Sequence, residues 1–415
     1  MTKILALKAK EIADSRNEPT LEVEVVTEHG SAFGSVPSGA STGSHEAHEL
    51  RDGDLPKHKG KGVLKALANV NDTLATALVG KEFTQQTLDA YMCELDGTPN
   101  KSKLGANAIL GVSIAFARAA AVEKGAPLYA YIGSLDNRST FAVPQPLFNI
   151  LNGGKHVTKG IDIQECMLAP VGFKSIKERV EAASTCVALL KATLETKGYG
   201  TAIGDEGGFA PDLPSNDEAL DLLVSAITEA GYTNTVKIAL DVAASSFYTN
   251  GQYVLKAGGT ARVLTKEDML AWYQTIGNTY PVISIEDGFA EDDFDGFALL
   301  MKALGERVCI VGDDLTVTNT ARIALAGQKK AANACIIKPN QVGTVTESIE
   351  AVRAARALGW KVFASHRSGE TLDTFIADFA TGLSCDYIKA GAPTKQERMV
   401  KYERLIAIEE ELSTV

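Results

Sequence analysis

The sequence lacks the features of disulfide-bonded, thiolate-metal and membrane-spanning proteins. Its six cysteines are scattered over 415 residues with no C-x-x-C pair, and most lie in apolar runs, as Cys335 does. This usage favours buried free thiols in a reducing compartment. The N-terminal apolar run is too short for a signal peptide, and no later run is expected to span a bilayer. We therefore expect a cytoplasmic protein without membrane insertion.

Basic residues are also fewer than acidic residues. The chain has 41 Lys and Arg residues against 52 Asp and Glu residues, which gives a net charge of −11 at pH 7. This balance argues against a general nucleic-acid binder, because phosphate contacts need clustered basic side chains. An acidic enzyme can still bind an anionic substrate where a metal ion or a local cationic site supplies positive charge.

Length and composition predict a globular protein of two domains. Hydrophobic residues make up 45% of the chain and charged residues 22%, which is enough apolar material for a sizeable core. A chain of 415 residues exceeds the usual size of one domain, so we expect one large domain and one smaller one.

Residues 1–135 are predicted to form the smaller, N-terminal α+β domain. Alternating apolar and polar residues at 21–26 and 31–36 flank the turn signal Thr27-Glu28-His29-Gly30, which predicts a β-hairpin. The predicted helical stretches that follow are 61–79, 84–94 and 104–124. The last stretch is rich in alanine and other small residues, which suits close helix packing.

Residues 140–415 show a different pattern, in which short apolar runs alternate with amphipathic helical segments. This pattern is typical of βα units around a parallel sheet. Six successive apolar runs each lead into an ionisable residue, and those residues are Asp241, Glu286, Asp313, Lys338, His366 and Lys389. The intervals from Glu286 onward are 27, 25, 28 and 23 residues, one βα unit apiece.

These strand ends predict a (β/α)8 TIM-like barrel with its active site at one face. The carboxyl ends of barrel strands converge on a single face, which carries the catalytic groups. One polar strand end can simply meet solvent, but six in succession favour a site. The repeat is incomplete before Asp241, so we expect an irregular first half of the barrel.

The three strand-end carboxylates, Asp241, Glu286 and Asp313, indicate a metal site. If the fold brings them together, they repel one another and raise each other's pKa values unless a cation lies between them. A ligand set made only of oxygen atoms favours Mg²⁺ over Zn²⁺.

Two strand-end lysines, Lys338 and Lys389, are expected to lie beside these acids. A lysine close to a metal ion and to another cation loses its proton more readily and can serve as a base. The pattern suggests abstraction of a proton next to a metal-bound carboxylate. The alternative is that the lysines only neutralise the acids in a structural network.

Three polar, glycine-containing loops complete the candidate site: residues 36–43, residues 149–170 with His156 and Glu165, and residues 201–211. Each is a weak signal alone, because such loops are usually connectors.

Together the motifs resemble those of the enolase family along nearly the whole chain. In chain order they are VPSGASTGSHEAHELRDGD (36–54), NKSKLGANAILGVS (100–113), FNILNGGKHV (148–157), DIQECMLAP (162–170), GDEGGFAP (204–211), ALDVAASSFY (239–248), SIEDGFAEDD (284–293), VGDDLTVTN (311–319), IKPNQVGT (337–344), SHRSGET (365–371) and IKAGAP (388–393). So many ordered motifs form a far more specific signal than one short motif.

The resemblance implies a glycolytic hydro-lyase that reversibly dehydrates 2-phospho-D-glycerate to phosphoenolpyruvate, with two Mg²⁺ ions per site. Asp241, Glu286 and Asp313 would hold the first ion. Ser41 would close over the site and bind the second, which arrives with the substrate.

The resemblance also implies roles in the chemical steps. Lys338 would remove the α-proton, and Lys389 would help the metal ions to stabilise the enediolate. Glu206, supported by Glu165, would help the 3-hydroxyl group to leave as water. His156 would have both a catalytic and a substrate-binding role.

The remaining substrate contacts implied by the resemblance surround these groups. Arg367 and Ser368 would hold the phosphate, which suits the donor fork of arginine. Gln164 and His366 would line the pocket, as would Glu165, Lys338 and Lys389.

The chain departs from the family pattern at three places. Asn17-Glu18 replaces the usual Gly-Asn, and asparagine tolerates the left-handed geometry of such a turn. Pro339 follows Lys338 and favours extended geometry for it. Ala407 stands where relatives often have an arginine that pairs across a dimer with an acid matching Glu22. An exposed pair contributes roughly 0–1 kcal/mol, so we still expect a homodimer or a larger homo-oligomer.

Two other functions are compatible with parts of the pattern. Another enolase-superfamily lyase, such as a sugar-acid dehydratase or a cycloisomerase, would share the metal-binding acids but not the loops SGASTG, GDEGGFAP and SHRSGE together. A non-catalytic structural or surface-binding protein on the same scaffold would show decayed site positions, whereas every matched site residue is present.

Overall fold

The computed structural model describes residues 1–156 and 160–414, without the side chain of His156. The strands are β1 (Thr2–Lys3), β2 (Ala6–Ala13), β3 (Pro19–Thr27), β4 (Gly30–Ser35), β5 (Glu82–Phe83), β6 (Gln145–Asn152), β7 (Glu165–Pro170), β8 (Val236–Asp241), β9 (Tyr248–Thr249), β10 (Gln252–Leu255), β11 (Arg262–Leu264), β12 (Val282–Glu286), β13 (Cys309–Gly312), β14 (Ala334–Ile337), β15 (Lys361–Ser365) and β16 (Tyr387–Lys389).

The α-helices are α1 (Leu64–Ala68), α2 (Ala75–Leu78), α3 (Gln85–Asp96), α4 (Ala106–Glu123), α5 (Leu128–Leu135), α6 (Ile176–Thr196), α7 (Asn216–Glu229), α8 (Lys266–Thr279), α9 (Phe294–Leu304), α10 (Thr320–Gln328), α11 (Pro339–Val342), α12 (Val345–Ala357), α13 (Phe375–Gly382) and α14 (Gln396–Ser413). A π-helical stretch, Asn69–Leu74, joins α1 to α2, and short 3-10 turns cover His58–Gly60, Gly154–His156, Ala244–Phe247 and Ala257–Gly259.

The predicted N-terminal hairpin is confirmed. Strands β2, β3 and β4 form an antiparallel sheet, and Thr27 pairs with Gly30 across a two-residue loop. Leu21, Val23 and Val25 alternate along β3 and are fully buried, as expected for a strand with one face on the core. The preceding turn places Asn17 at φ 58°, so asparagine does adopt the left-handed geometry expected of it.

Helix α4 packs tightly against this sheet. A Cβ added at Gly111 would lie 2.5 Å from Cγ2 of Val23, so only glycine allows this approach. By length and composition alone, α4 is long and apolar enough to cross a membrane. It is 83% buried inside the protein, as the core helix of a globular domain is.

The second region is a closed eight-stranded barrel, in the order β12-β13-β14-β15-β16-β6-β7-β8. Strand β7 runs antiparallel to both β6 and β8, while the other neighbouring pairs are parallel. The expected irregular first half is therefore confirmed as one reversed strand. Small and branched side chains fill the barrel interior, including Ala239, Val311, Ala334 and Ile336.

Contacts from the N-terminal region hold residues 37–47 against the carboxyl-end face of the barrel. Ser38 forms an isolated antiparallel bridge with Gly369, in the loop after β15. Arg118 of α4 makes a two-pronged ion pair with Asp373, with both nitrogen–oxygen distances at 2.6 Å. This docking brings Ser41 to the mouth of the barrel.

Candidate active site

The barrel places all six predicted strand-end residues on one face. Three of them are the last residues of β8, β12 and β16, and the other three directly follow β13, β14 and β15. In the same order these residues are Asp241, Glu286, Lys389, Asp313, Lys338 and His366. All are buried except Lys338, whose side chain is 12% exposed. Lys338 has φ −124° and ψ 106°, the extended geometry expected before Pro339.

The ammonium group of Lys389 lies among three carboxylates. Its Nζ is 2.9 Å from Glu286 Oε2, 3.2 Å from Asp241 Oδ2 and 3.3 Å from Glu165 Oε2. Burial and the charge of Asp241 raise the pKa of Glu286, and Lys389 opposes this rise. Burial alone would lower the pKa of Lys389, but the surrounding acids raise it well above its usual value.

Lys338 forms a second ion pair, with Oδ2 of the buried Asp313. Burial favours the uncharged form of each partner, but their opposite charges prevail, so the pKa of Asp313 is lowered and that of Lys338 raised. Asp313 therefore keeps the proton on Lys338 in this arrangement. A group that neutralises Asp313 makes Lys338 a better base.

Two further aspartates stand next to Asp313. Asp287 is buried, and its two oxygens accept the backbone N–H groups of Asp313 at 3.0 Å and Asp314 at 2.7 Å. Burial and the charge of Asp313 raise the pKa of Asp314 to about 7. Asp287 was missed by the sequence analysis, although its position directly after Glu286 at a strand end was an available signal.

Glu206 and His366 face each other beside the lysines. Glu206 Oε2 accepts from Asn149 Nδ2 at 2.9 Å and lies 3.3 Å from His366 Nε2. Arg398 lies 2.6 Å from His366 Nδ1, and because arginine can only donate, Nδ1 must accept and Nε2 carries the proton. Burial lowers the pKa of His366 to about 4, so the ring is neutral at pH 7.

Glu165 and Gln164 reach the same space from the start of β7. Burial and the charge of Glu206 raise the pKa of Glu165 well above its usual value. Gln164 Nε2 donates to Asp241 Oδ2 at 3.4 Å, whereas its buried Oε1 has no hydrogen-bond partner within the described part of the chain. An acceptor left in this way can receive a donor from a bound molecule.

Arg367 links the barrel to the N-terminal loop. Its guanidinium nitrogens donate to both oxygens of Glu46, at 2.9 and 3.1 Å, and to the carbonyl oxygen of Ser41 at 3.0 Å. A Cβ at Gly39 would lie 2.1 Å from this guanidinium group, so the loop passes directly over it. Ser368 Oγ accepts from Ala40 N at 2.7 Å.

One cavity collects nearly all of the predicted site residues. The lining residues are Ser41, Gln164, Glu165, Glu206, Asp241, Ala243, Asp287, Asp313, Asp314, Lys338, Ser365, His366, Arg367, Ser368 and Lys389. Glu286 lies behind this lining, against Lys389. The side chain of His156 lies outside the described residues.

The donor set fits a hard divalent cation. Oxygen atoms of Asp287, Asp313 and Asp314 lie within 4.8 Å of one another, whereas Asp241 and Glu286 are drawn to Lys389. Since both Asp287 oxygens already accept backbone N–H groups, Asp287 orients its neighbours. Among the described residues this group consists of three carboxylates, and oxygen ligands of this kind suit Mg²⁺.

Comparisons with known proteins identify the family to which this fold and site belong. The family description "Enolase, N-terminal domain" matches residues 4–132, and "Enolase, C-terminal TIM barrel domain" matches residues 140–415. Enolase 1 of Methylococcus capsulatus is 51% identical over 414 residues, which cover 99% of this chain and 97% of that protein. The chain therefore belongs to the enolase family.

Proposed function

We propose that this chain dehydrates 2-phospho-D-glycerate to phosphoenolpyruvate, and catalyses the reverse hydration, with Lys338 as the base that acts on the α-carbon. The observation that supports this assignment is the placement of Lys338 and of the Glu206–His366 pair on the walls of one cavity. One of these lining groups can remove a proton, and another can protonate a hydroxyl group.

The residues divide the reaction into two steps. Lys338 takes the C2 proton, and the bonding electrons move into the substrate carboxylate, where Lys389 offsets the added negative charge. The electrons then return to form the C2–C3 double bond as the C3–O bond breaks. Glu206 donates the proton with which the hydroxyl group leaves as water, and the raised pKa of Glu165 makes it suited to sharing that proton.

Membership of the enolase family implies a divalent metal ion, and we propose Mg²⁺ with two ions per site. Asp241, Glu286 and Asp313 would hold the first ion, and Ser41 the second. When bound, Mg²⁺ supplies positive charge where negative charge builds up on the substrate carboxylate.

We assign substrate specificity to the residues that bind the phosphate and to the polar residues that line the cavity. Arg367 and Ser368 are proposed to bind the phosphate, since arginine presents a planar fork of donors to such oxygens. Gln164, His156 and His366 are proposed to contact the rest of the substrate.

Conversion of 2-phospho-D-glycerate tests this proposal directly. The absorbance of phosphoenolpyruvate formed by the purified chain is measured with Mg²⁺, without it, and after addition of a chelator. Turnover that requires Mg²⁺ is expected. Turnover unaffected by the chelator would refute the metal assignment, and dehydration of sugar acids instead of 2-phospho-D-glycerate would favour another superfamily lyase.

We also propose a homodimer or a larger homo-oligomer in the cytoplasm. A groove of about 920 Å³ between the N-terminal sheet and the barrel is lined by three exposed apolar side chains, Phe33, Val122 and Leu372. Glu22, also in this groove, pairs with Lys10 of its own chain at 2.7 Å, so it has a local partner although Ala407 replaces the family's arginine.

The division into domains of residues 1–135 and 140–415 likewise remains a prediction.

A further inference from the structure

Gln341 is a buried polar side chain to which the proposed reaction gives no role. It lies on α11, three residues after Lys338, and is 2% exposed. A buried amide needs partners for its oxygen and its nitrogen, since each unpaired polar group costs about 1–3 kcal/mol. Both ends of this side chain find partners next to the proposed base.

The orientation of the Gln341 amide follows from its neighbour Thr318. The hydroxyl group of Thr318 accepts the backbone N–H of Lys338 at 2.9 Å. Its own hydrogen is therefore available for Gln341 Oε1, which lies 2.6 Å away. With the oxygen fixed there, Nε2 points at Asp313 Oδ1, at 2.9 Å.

The two oxygens of Asp313 thus have different partners. Oδ1 accepts from the amide of Gln341, and Oδ2 accepts from the ammonium group of Lys338. Both partners come from α11 or the residue just before it, so one short segment fixes the carboxylate in rotation and in position.

We propose that Gln341 is a positioning residue that holds the Asp313 carboxylate in the orientation in which it would bind Mg²⁺. The proposal rests on the proposed metal site. Because Oδ1 accepts from the amide and Oδ2 accepts from Lys338, the carboxylate is already oriented when a cation arrives.

Without the amide, Lys338 alone would hold the Asp313 carboxylate, which could then rotate. Metal binding is then expected to weaken, because the ligand is no longer oriented. Loss of hydrogen-bond partners that orient metal ligands typically costs 10–100-fold in affinity or activity.

The matched test compares two buried glutamines in the full-length chain. Gln341→Met removes the amide beside Asp313, and Gln85→Met removes a buried amide that donates to Asp89 at 3.2 Å, outside the site. Mg²⁺ binding is measured by calorimetry without substrate, and kcat is measured at saturating Mg²⁺.

Gln341→Met is expected to raise the Kd for Mg²⁺ by about 10–100-fold and to lower kcat even at saturating Mg²⁺. Gln85→Met is expected to lower the melting temperature and to leave the Kd for Mg²⁺ unchanged. A Gln341→Met protein whose Kd for Mg²⁺ stays within about twofold of wild type would overturn the positioning role, because a purely structural amide affects only stability.

Thr318→Val provides a second route if Gln341→Met fails to fold. It removes the hydroxyl group that orients the amide, so the Kd for Mg²⁺ should rise, by less than in Gln341→Met, and an unchanged Kd would overturn the proposal. The proposed function fails separately, since it predicts that the wild-type chain binds Mg²⁺ and turns over 2-phospho-D-glycerate before any variant is made.

Discussion

Glu165 and Asp241 lie directly opposite each other in the antiparallel register of β7 and β8, the first residue of one strand facing the last residue of the other. The reversal of β7 is what brings Glu165 to the carboxyl-end face of the barrel. Two buried carboxylates in such positions repel each other unless a cation is shared between them. Lys389 is that cation in this structure, at 3.3 Å from Glu165 and 3.2 Å from Asp241.

Replacing Lys389 by methionine should therefore destabilise the metal-free protein strongly. Removing one partner of a buried ion pair leaves an uncompensated charge and costs about 3–5 kcal/mol. Thermal unfolding at pH 7 measures the loss, and added Mg²⁺ should restore part of it. The loss should also shrink as the pH falls, because burial raises the pKa values of Glu165 and Glu286 and their protonation removes part of the repulsion.

Lys401→Met is the matched control for this change. Lys401 is another fully buried lysine, 2.9 Å from Glu370, outside the cluster around Asp241. Its loss should also lower the melting temperature, but Mg²⁺ should give no recovery beyond that seen in wild type. Equal recovery in both variants would contradict the assignment of the Lys389 carboxylates to a metal site.

Lys338→Ala should abolish most of the chemistry while Mg²⁺ and substrate still bind. A positioned general base contributes about 10²–10⁴-fold to the rate, so kcat should fall by that factor. Initial rates of phosphoenolpyruvate formation measure kcat, and calorimetry measures binding. A variant that stays active would show that the base is wrongly assigned.

Arg367→Lys should raise KM for the phosphorylated substrate more than it lowers kcat. Lysine keeps the charge but cannot hold Glu46 and Ser41 while also presenting a planar fork to a phosphate. Loss of charged hydrogen bonds worth about 1.5–3 kcal/mol predicts a rise in KM of about 10–100-fold.

The control for Arg367→Lys is Arg404→Lys. Arg404 also makes a two-pronged contact to a carboxylate, that of Asp378, but lies outside the cavity. Its substitution should leave KM unchanged. A comparable rise in KM in both variants would argue against phosphate binding by Arg367.

If the exposed apolar groove is an interface between copies of this chain, a charged residue placed in it should weaken the oligomer. Leu372 is 57% exposed at the groove, whereas Leu299 is 39% exposed on α9, away from it. A buried glutamate in an apolar interface is costly, so Leu372→Glu should shift the protein toward the monomer, while Leu299→Glu should not. Sedimentation velocity over a range of concentrations measures this, and a wild-type protein that is monomeric throughout would refute the oligomer.

Local pattern predicts the parts of this site that come from regular βα units. Asp241, Glu286 and Lys389 end apolar runs and end strands, so counting along the chain locates them. Glu165 begins a strand, and the direction of a strand is set by its neighbours in the sheet, which no local pattern reports. The loop pattern marked this residue only weakly, and the family resemblance supplied its expected role.

Residues that act through contacts distant in sequence are the ones that pattern cannot find. Arg398 reaches His366 from α14, and Gln341 reaches Asp313 from α11. The spacing of these residues in the sequence does not reveal their roles. Each role depends on the acceptor that the packed fold places beside the buried donor group. The contact of Arg367 with Glu46 likewise joins two regions that are far apart along the chain.

Asp89 predicts a pH dependence of stability that arises outside the site. It is fully buried on α3, and burial raises its pKa to about 6, although Thr346, Ser113 and Gln85 donate hydrogen bonds to it. The folded state therefore binds its proton more tightly than the unfolded state does. The contribution of Asp89 to the free energy of unfolding is greatest at low pH and falls as the pH rises toward 6. Above pH 6 this contribution no longer changes.

Between pH 5 and pH 7 the expected loss from Asp89 is about 1 kcal/mol. The Asp89→Asn variant cannot titrate there, so its midpoint of urea-induced unfolding should fall less over this range than that of wild type. Asp54→Asn removes a carboxylate at an exposed position and is the control for loss of charge. If wild type and Asp89→Asn lost stability in parallel between pH 5 and pH 7, the Asp89 carboxyl group would not be the source of the dependence.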